Sequence, residues 1–199
     1  MKNNNKIFLG EFIASCFLVM VIVGSGIMAE NLTNDNAIRL LANTIATGAG
    51  LFVLITAFAN ISGAHLNPFV SLSMYLTKRI KGKELLTFIP AQILGCLLGV
   101  MLANVFFEHS IIELSTKNRD GFHIFLSEIV ATFGLIFIIF ATLKDGKTTV
   151  AACVATYISA GYWFTSSTSF ANPAVAIART FTDSVSYTHL TLPTSSVVV

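Results

Sequence analysis

Five stretches of this chain run apolar, at about 7–28, 38–60, 84–107, 122–143 and 148–164, with polar residues gathered between them. A helix needs roughly 20 mostly apolar residues to cross a bilayer, so each stretch is read as a spanning helix. Two shorter apolar pieces, about 67–77 and 172–182, follow the second and fifth stretches. Each is too short to cross, and each opens at an Asn-Pro. The first stretch is too long for the apolar part of a cleaved signal peptide and is read as a retained span.

The loops orient the spans. If the spans alternate, Lys2, Lys6, Lys78, Arg79, Lys81, Lys83, Lys144 and Lys147 share one side, against Arg39, Lys117 and Arg119 on the other. Basic residues favour the cytoplasmic face, so the expected topology is multi-pass in the plasma (inner) membrane with a cytoplasmic N-terminus.

Composition agrees with a lipid solvent. Only 11% of residues are charged, against about 25% in a soluble domain, and 54% are hydrophobic. A net charge of +2 gives no footing for a nucleic-acid partner. Cys16, Cys96 and Cys153 all lie in apolar runs and read as buried free thiols, with no metal-ligand spacing near them. No metal or other cofactor is expected, and no nucleophile or acid–base pair marks an enzyme.

The pattern repeats. EFIASCFLVMV starts at Glu11 and EIVATFGLIFI at Glu128; each opens a span, and each is followed by a second span and then an Asn-Pro piece. Three spans separate the two starts, so the second copy lies upside down relative to the first. Inverted repeats with broken helices place solute sites near the bilayer midplane. Asn is a favoured N-cap and Pro suits the first helical position, so the two half-helices are expected to point their N-termini at one central volume. The unwound backbone before each must be buried in protein or line a polar cavity.

Glu11 and Glu128 admit two readings, proton relay or acceptor for that unwound backbone, and their symmetry favours the second. His65 either gates or binds metal, or it lines the passage and satisfies backbone. Ser62, Gly63 and Ala64 are small enough for close helix approach.

At this point the chain resembles the aquaporin (major intrinsic protein) family. SGAHLNP at 62–68 and ANPA at 171–174 correspond to its two signature boxes, and the resemblance runs from about 7 to 183. It implies an all-α membrane protein: an aquaporin-like inverted repeat with five of six transmembrane helices plus two re-entrant half-helices. The first repeat covers about 7–107 and the second about 122–183, within a channel domain of 1–184. The resemblance also implies a homotetramer with one pore per subunit. The box residues are Asn67, Pro68 and Phe69, and Asn172, Pro173 and Ala174, with the two asparagines in the pore.

Counting from those asparagines carries the family's constriction onto Thr47, Ala160, Ser169 and Val175. Water-selective members have bulky or charged residues at most of these positions, with Arg where Val175 stands. Thr, Ala, Ser and Val would leave the mouth wide, mildly polar and uncharged. Arg179, one turn beyond Val175, either reaches back to the pore or holds a loop or helix end; the second reading is favoured. Phe69 replaces the usual Ala and is expected to pack outward. TSFANPAVAIAR with ATGAG resembles a bacterial subgroup linked to arsenic resistance. The expected solutes are therefore small and neutral: arsenous acid, glycerol and water. A water-selective channel is the nearest rival, and an ion-coupled transporter the rival of another class.

From about Val185 the chain reads VSYTHLTLPTSSVVV, which is polar, broken by Pro193 and unlike the family. It resembles a translated transposon-type sequencing adaptor. Residues 185–199 are thus expected to be a non-native tail standing where a sixth helix belongs, and the chain without that helix is not expected to conduct.

Overall fold

The computed structural model describes residues 4–116 and 121–183. The expectation for the 185–199 tail, and the loop positions of Lys2, Lys117 and Arg119, lie outside the described residues.

Among the described residues seven helices follow one another: α1 (Asn4–Leu32), α2 (Asn36–Phe58), α3 (Pro68–Leu76), α4 (Gly82–Phe106), α5 (Phe122–Thr142), α6 (Lys147–Phe164) and α7 (Pro173–Ala178), the last running into a 3-10 turn at Arg179–Phe181. No strand occurs among the described residues. Helices α1, α2, α4 and α5 are long and apolar enough to cross a membrane. Helix α6 has 18 residues, about 27 Å at 1.5 Å per residue. Its first turn, Lys147-Thr148-Thr149, dilutes its hydropathy, and it is not one of those four.

Close backbone approach joins α1 to α4. A Cβ on Gly95 would overlap the Phe12 carbonyl, and one on Gly99 the Cys16 carbonyl. Small residues of this kind let helices meet where the hydrophobic effect supplies no drive. Helices α2 and α6 lie antiparallel: the Thr47 hydroxyl at the middle of α2 meets Tyr162 near the end of α6, while Lys147 at the start of α6 donates to Asn60 just past the end of α2. On the outside, large apolar side chains face away from protein, among them Phe133 and Phe137 on α5 at 72% and 60% exposure. That belt suits acyl chains and would be a liability in water. Cys16 and Cys96 are buried, Cys153 is half-buried, and all three are free.

Candidate functional site

Asn67 and Asn172 each stand in extended backbone, φ −155° and −150°, just before the proline that opens α3 or α7. The Asn67 Oδ1 accepts the N–H of Phe69 at 2.9 Å. The Asn172 Oδ1 accepts those of Ala174 and Val175 at 3.1 and 3.4 Å. These caps satisfy donors that a helix start leaves orphaned. The amide nitrogens turn the other way, toward the opposite half. Asn67 Nδ2 donates to the Ala171 carbonyl at 2.6 Å, and Asn172 Nδ2 donates to the Leu66 carbonyl at 2.7 Å. The carbonyl just before one asparagine is therefore the acceptor for the other, and α3 and α7 are pinned together N-terminus to N-terminus.

The backbone leading into each asparagine is left-handed at matching offsets. Ala64 and Leu66 have φ of 52°, Ser169 51° and Ala171 45°. That region costs a non-glycine residue roughly 1–2 kcal/mol, so something must hold it. In the first half Glu11 does: its Oε1 accepts the Ser62 hydroxyl at 2.5 Å and the His65 N–H at 3.1 Å. Its Oε2 accepts the Leu66 N–H at 2.7 Å and Gln92 Nε2, from α4, at 2.8 Å. In the second half Glu128 accepts the N–H groups of Phe170 and Ala171 at 3.0 and 2.7 Å. Hydrogen bonds to an ionised carboxylate are about twice as strong as neutral ones.

Around this junction lies one cavity of about 350 Å³, room for roughly ten waters at about 30 Å³ each. Two facing stripes of i, i+4 residues form much of its wall: Thr47, Leu51, Ile55 and Ala59 on α2, and Val150, Val154, Ile158 and Tyr162 on α6. Each stripe runs about 18 Å along its helix. The two asparagines, His65, Ser169, Phe170 and Val175 also line it, with Lys147 among the lining residues where α6 begins. The wall is thus mostly aliphatic, interrupted by polar groups at the half-helix junction and at the two ends.

Of the predicted pore and filter positions five come together here; Ala160 and the box residues Pro68, Phe69, Pro173 and Ala174 do not. Thr47, Ser169 and Val175 line the cavity, as do Asn67 and Asn172. Ala160 does not: it is exposed on α6, while Ile158 and Tyr162 to either side of it face inward. At about 100° of helix per residue, a two-position offset turns a side chain to the far face. Counting back from Asn172 crosses the irregular segment 165–171, whose length does not report the phase of α6. Beside the small residues two bulky ones, Tyr162 and Phe170, also line the wall. Phe69 is also off the cavity. It is 44% exposed and lines a separate groove with Phe125, Ile129 and Phe133 of α5 and with Pro173.

His65 stacks on Phe88, with ring centroids 4.2 Å apart, and its Nδ1 meets the Ser71 hydroxyl at 3.0 Å. Arg179 is 9% exposed, and its guanidinium carbon stands 4.9 Å from the centroid of the Phe170 ring. It sits against a lining residue without lining the cavity itself. Among the described residues no three His, Cys, Asp or Glu side chains gather as a metal site would require.

Sequence reasoning missed Gln92 and Tyr162. A lone amide in the apolar run of α4 was the available signal for the first. The four-residue spacing of 150, 154, 158 and 162 was the signal for the second.

A family model described as Major intrinsic protein matches residues 1–192. Aquaglyceroporin AqpS of Rhizobium meliloti (strain 1021) is 47% identical over 178 residues, 89% of this chain and 76% of that protein. Aquaporin TIP1-2 of Musa acuminata is 36% identical, covering 71% of this chain and 58% of its own length. Aquaporin-4 of Rattus norvegicus is 29% identical, covering 75% and 48%. The chain therefore spans about half the length of the plant and rodent relatives. Among solved structures, the aquaglyceroporin from Plasmodium falciparum superposes with a TM-score of 0.68 at 20% identity, over 94% of this chain and 88% of that one, a likeness of fold.

Proposed function

Since this chain belongs to the major intrinsic protein family, we propose that it is a passive transmembrane channel for small uncharged solutes, glycerol-type polyols and water, and not an enzyme. The observation that carries this reading is the pinned junction of α3 and α7 on the cavity wall. Two helix N-termini, each with a positive dipole end, face one volume lined by Asn67 and Asn172. Each asparagine Nδ2 carries two N–H groups, and a donor pair at the midplane would hand hydroxylated solutes along while disfavouring cations.

Passive transport is favoured over ion coupling by the two carboxylates. Neither Glu11 nor Glu128 lines the cavity, and both accept backbone N–H groups that broken helices leave without partners. Coupling by proton would have to break those bonds in every cycle.

Within the neutral solutes, arsenous acid is included in the proposal. It presents three hydroxyls on an uncharged centre, as glycerol does, and Val175 leaves the end of the cavity beside it without a fixed charge. The likeness to AqpS, which is called an aquaglyceroporin, supports the polyol side of the reading. A homotetramer in the plasma membrane, N-terminus cytoplasmic, completes it.

In a protein whose residues 185–199 are replaced by the expected sixth helix, liposome permeabilities of glycerol, arsenous acid and water, with and without Val175→Arg, test the function. Rapid glycerol and arsenous acid flux that falls by roughly tenfold or more in Val175→Arg, with water flux largely retained, is the expected result. Rapid water with negligible glycerol in the unmodified protein would return the water-selective reading.

A further inference from the structure

The wall stripes of α2 and α6 are aliphatic or Ala at every step but one each. On α2 that step is Thr47, and on α6 it is Tyr162. The two exceptions fall opposite each other. Thr47 Oγ1 and Tyr162 Oη are 3.1 Å apart across the helix pair, with the residues 1% and 7% exposed. A chance polar residue in an apolar stripe would not be expected to meet its only counterpart on the facing stripe.

The surroundings hold the Tyr162 ring in place. Gly161 precedes it, and a Cβ there would come within 2.6 Å of both Cβ and Oγ of Ser169. The missing side chain lets the segment before α7 lie directly on α6 beside Tyr162. Ser169 Oγ is buried there with no hydrogen-bond partner among the described residues. Thr47, Ser169 and Val175 are all small, so of these four Tyr162 supplies the bulk, while Phe170, the other large lining side chain nearby, is held under the Arg179 guanidinium.

We infer that Tyr162 is the residue that sets the size limit of this channel, with Thr47 as a positioning residue that fastens its ring through the hydroxyl pair. The inference rests on the reading of the cavity as a permeation path. A tyrosine has two side-chain torsions, and a hydrogen bond at its far tip fixes both at once. With the bond made, the ring stands between the α2 and α6 walls. With the bond lost, the ring is less constrained and the opening varies more. The ligand class follows from the same geometry: three-carbon polyols and trihydroxides of similar girth pass, and five-carbon polyols are turned away. The hydroxyl pair also gives a permeating hydroxyl group a partner to exchange with at the tightest point.

The test compares glycerol with xylitol in liposomes carrying that same six-helix protein, by light scattering. The unmodified protein should pass glycerol and exclude xylitol. Tyr162→Ala should raise the xylitol-to-glycerol ratio at least tenfold. Tyr162→Phe and Thr47→Val, which each remove one end of the same bond and keep most of the volume, should raise it by a similar few-fold factor, and the double variant by no more than either alone. A ratio unchanged in Tyr162→Ala overturns the size role. Additive effects of the Phe and Val changes overturn the positioning role, as does an unchanged ratio in both. Should Tyr162→Ala not elute as a folded species, the Tyr162→Phe and Thr47→Val pair decides the question. Absence of glycerol flux in the unmodified protein would instead fail the channel reading itself, a result these ratios cannot imitate.

Discussion

The two halves of the molecule solve one problem with unequal means. Each interrupts a helix at an asparagine, puts left-handed residues one and three positions before it, fixes the nearer one to a glutamate and lets a serine hydroxyl take the N–H of the farther one. In the first half Glu11 is wholly buried and takes four hydrogen bonds, one of them from Gln92 on α4. In the second, Glu128 is half-buried and takes the N–H groups of Phe170 and Ala171. The requirement to satisfy an unwound backbone at membrane depth is common to both. What differs among the described residues is the supporting shell: α4 lends Gln92 to the first carboxylate.

Exchanging each carboxylate for its amide is the strongest way to break the comparison. Glu11→Gln replaces an acceptor facing four donors with a group that must present its own N–H to some of them. A loss of roughly 3 kcal/mol or more is expected, since hydrogen bonds to charged groups are worth about 1.5–3 kcal/mol each. Glu128→Gln should cost about half as much or less. Thermal unfolding of both variants in one detergent measures the difference, and equal losses would mean the halves are held alike.

A smaller effect comes from the α1–α4 seam. Gly95→Ala drives a methyl into the Phe12 backbone and should cost about 1–3 kcal/mol, seen in the same melts. Gly146→Ala offers a contrast without a clash: nothing lies within 4 Å of its added Cβ, and only its φ of 96° resists the change. The smallest effect is expected at Phe69. Its ring lies in the groove beside α5 and not on the cavity, so Phe69→Ala should alter glycerol flux by no more than about twofold. A large rise would mean that the ring swings into the passage.

Much of the architecture was legible because lipid imposes simple rules. Apolar runs bounded by lysines became helices, and Asn-Pro marked the half-helix starts; the 67–77 piece became Pro68–Leu76. The 172–182 piece was less faithful, ending as an α-helix at Ala178 and tightening into the turn at Arg179–Phe181. Glu11 and Glu128 stood out as carboxylates in apolar surroundings. Helix phase was the limit. Whether Ala160 or Tyr162 faces the cavity depends on how segment 165–171 folds back on Gly161, which is a tertiary fact that spacing from Asn172 does not encode. Gln92 was overlooked for a similar reason, since its meaning appears only when α4 lies against α1.

The crossed bonds between Asn67 and Asn172 also set an order of events. Asn67 finds its acceptor 104 residues further along the chain, and a ribosome adding about 5–20 residues per second needs roughly 5–20 s to supply it. Throughout that interval the first half-helix is already in the membrane with its amide unanswered. The centre of the protein therefore cannot be completed until most of the second half has been made, and any factor that shields polar groups in a nascent membrane protein would act on this one before its second half emerges.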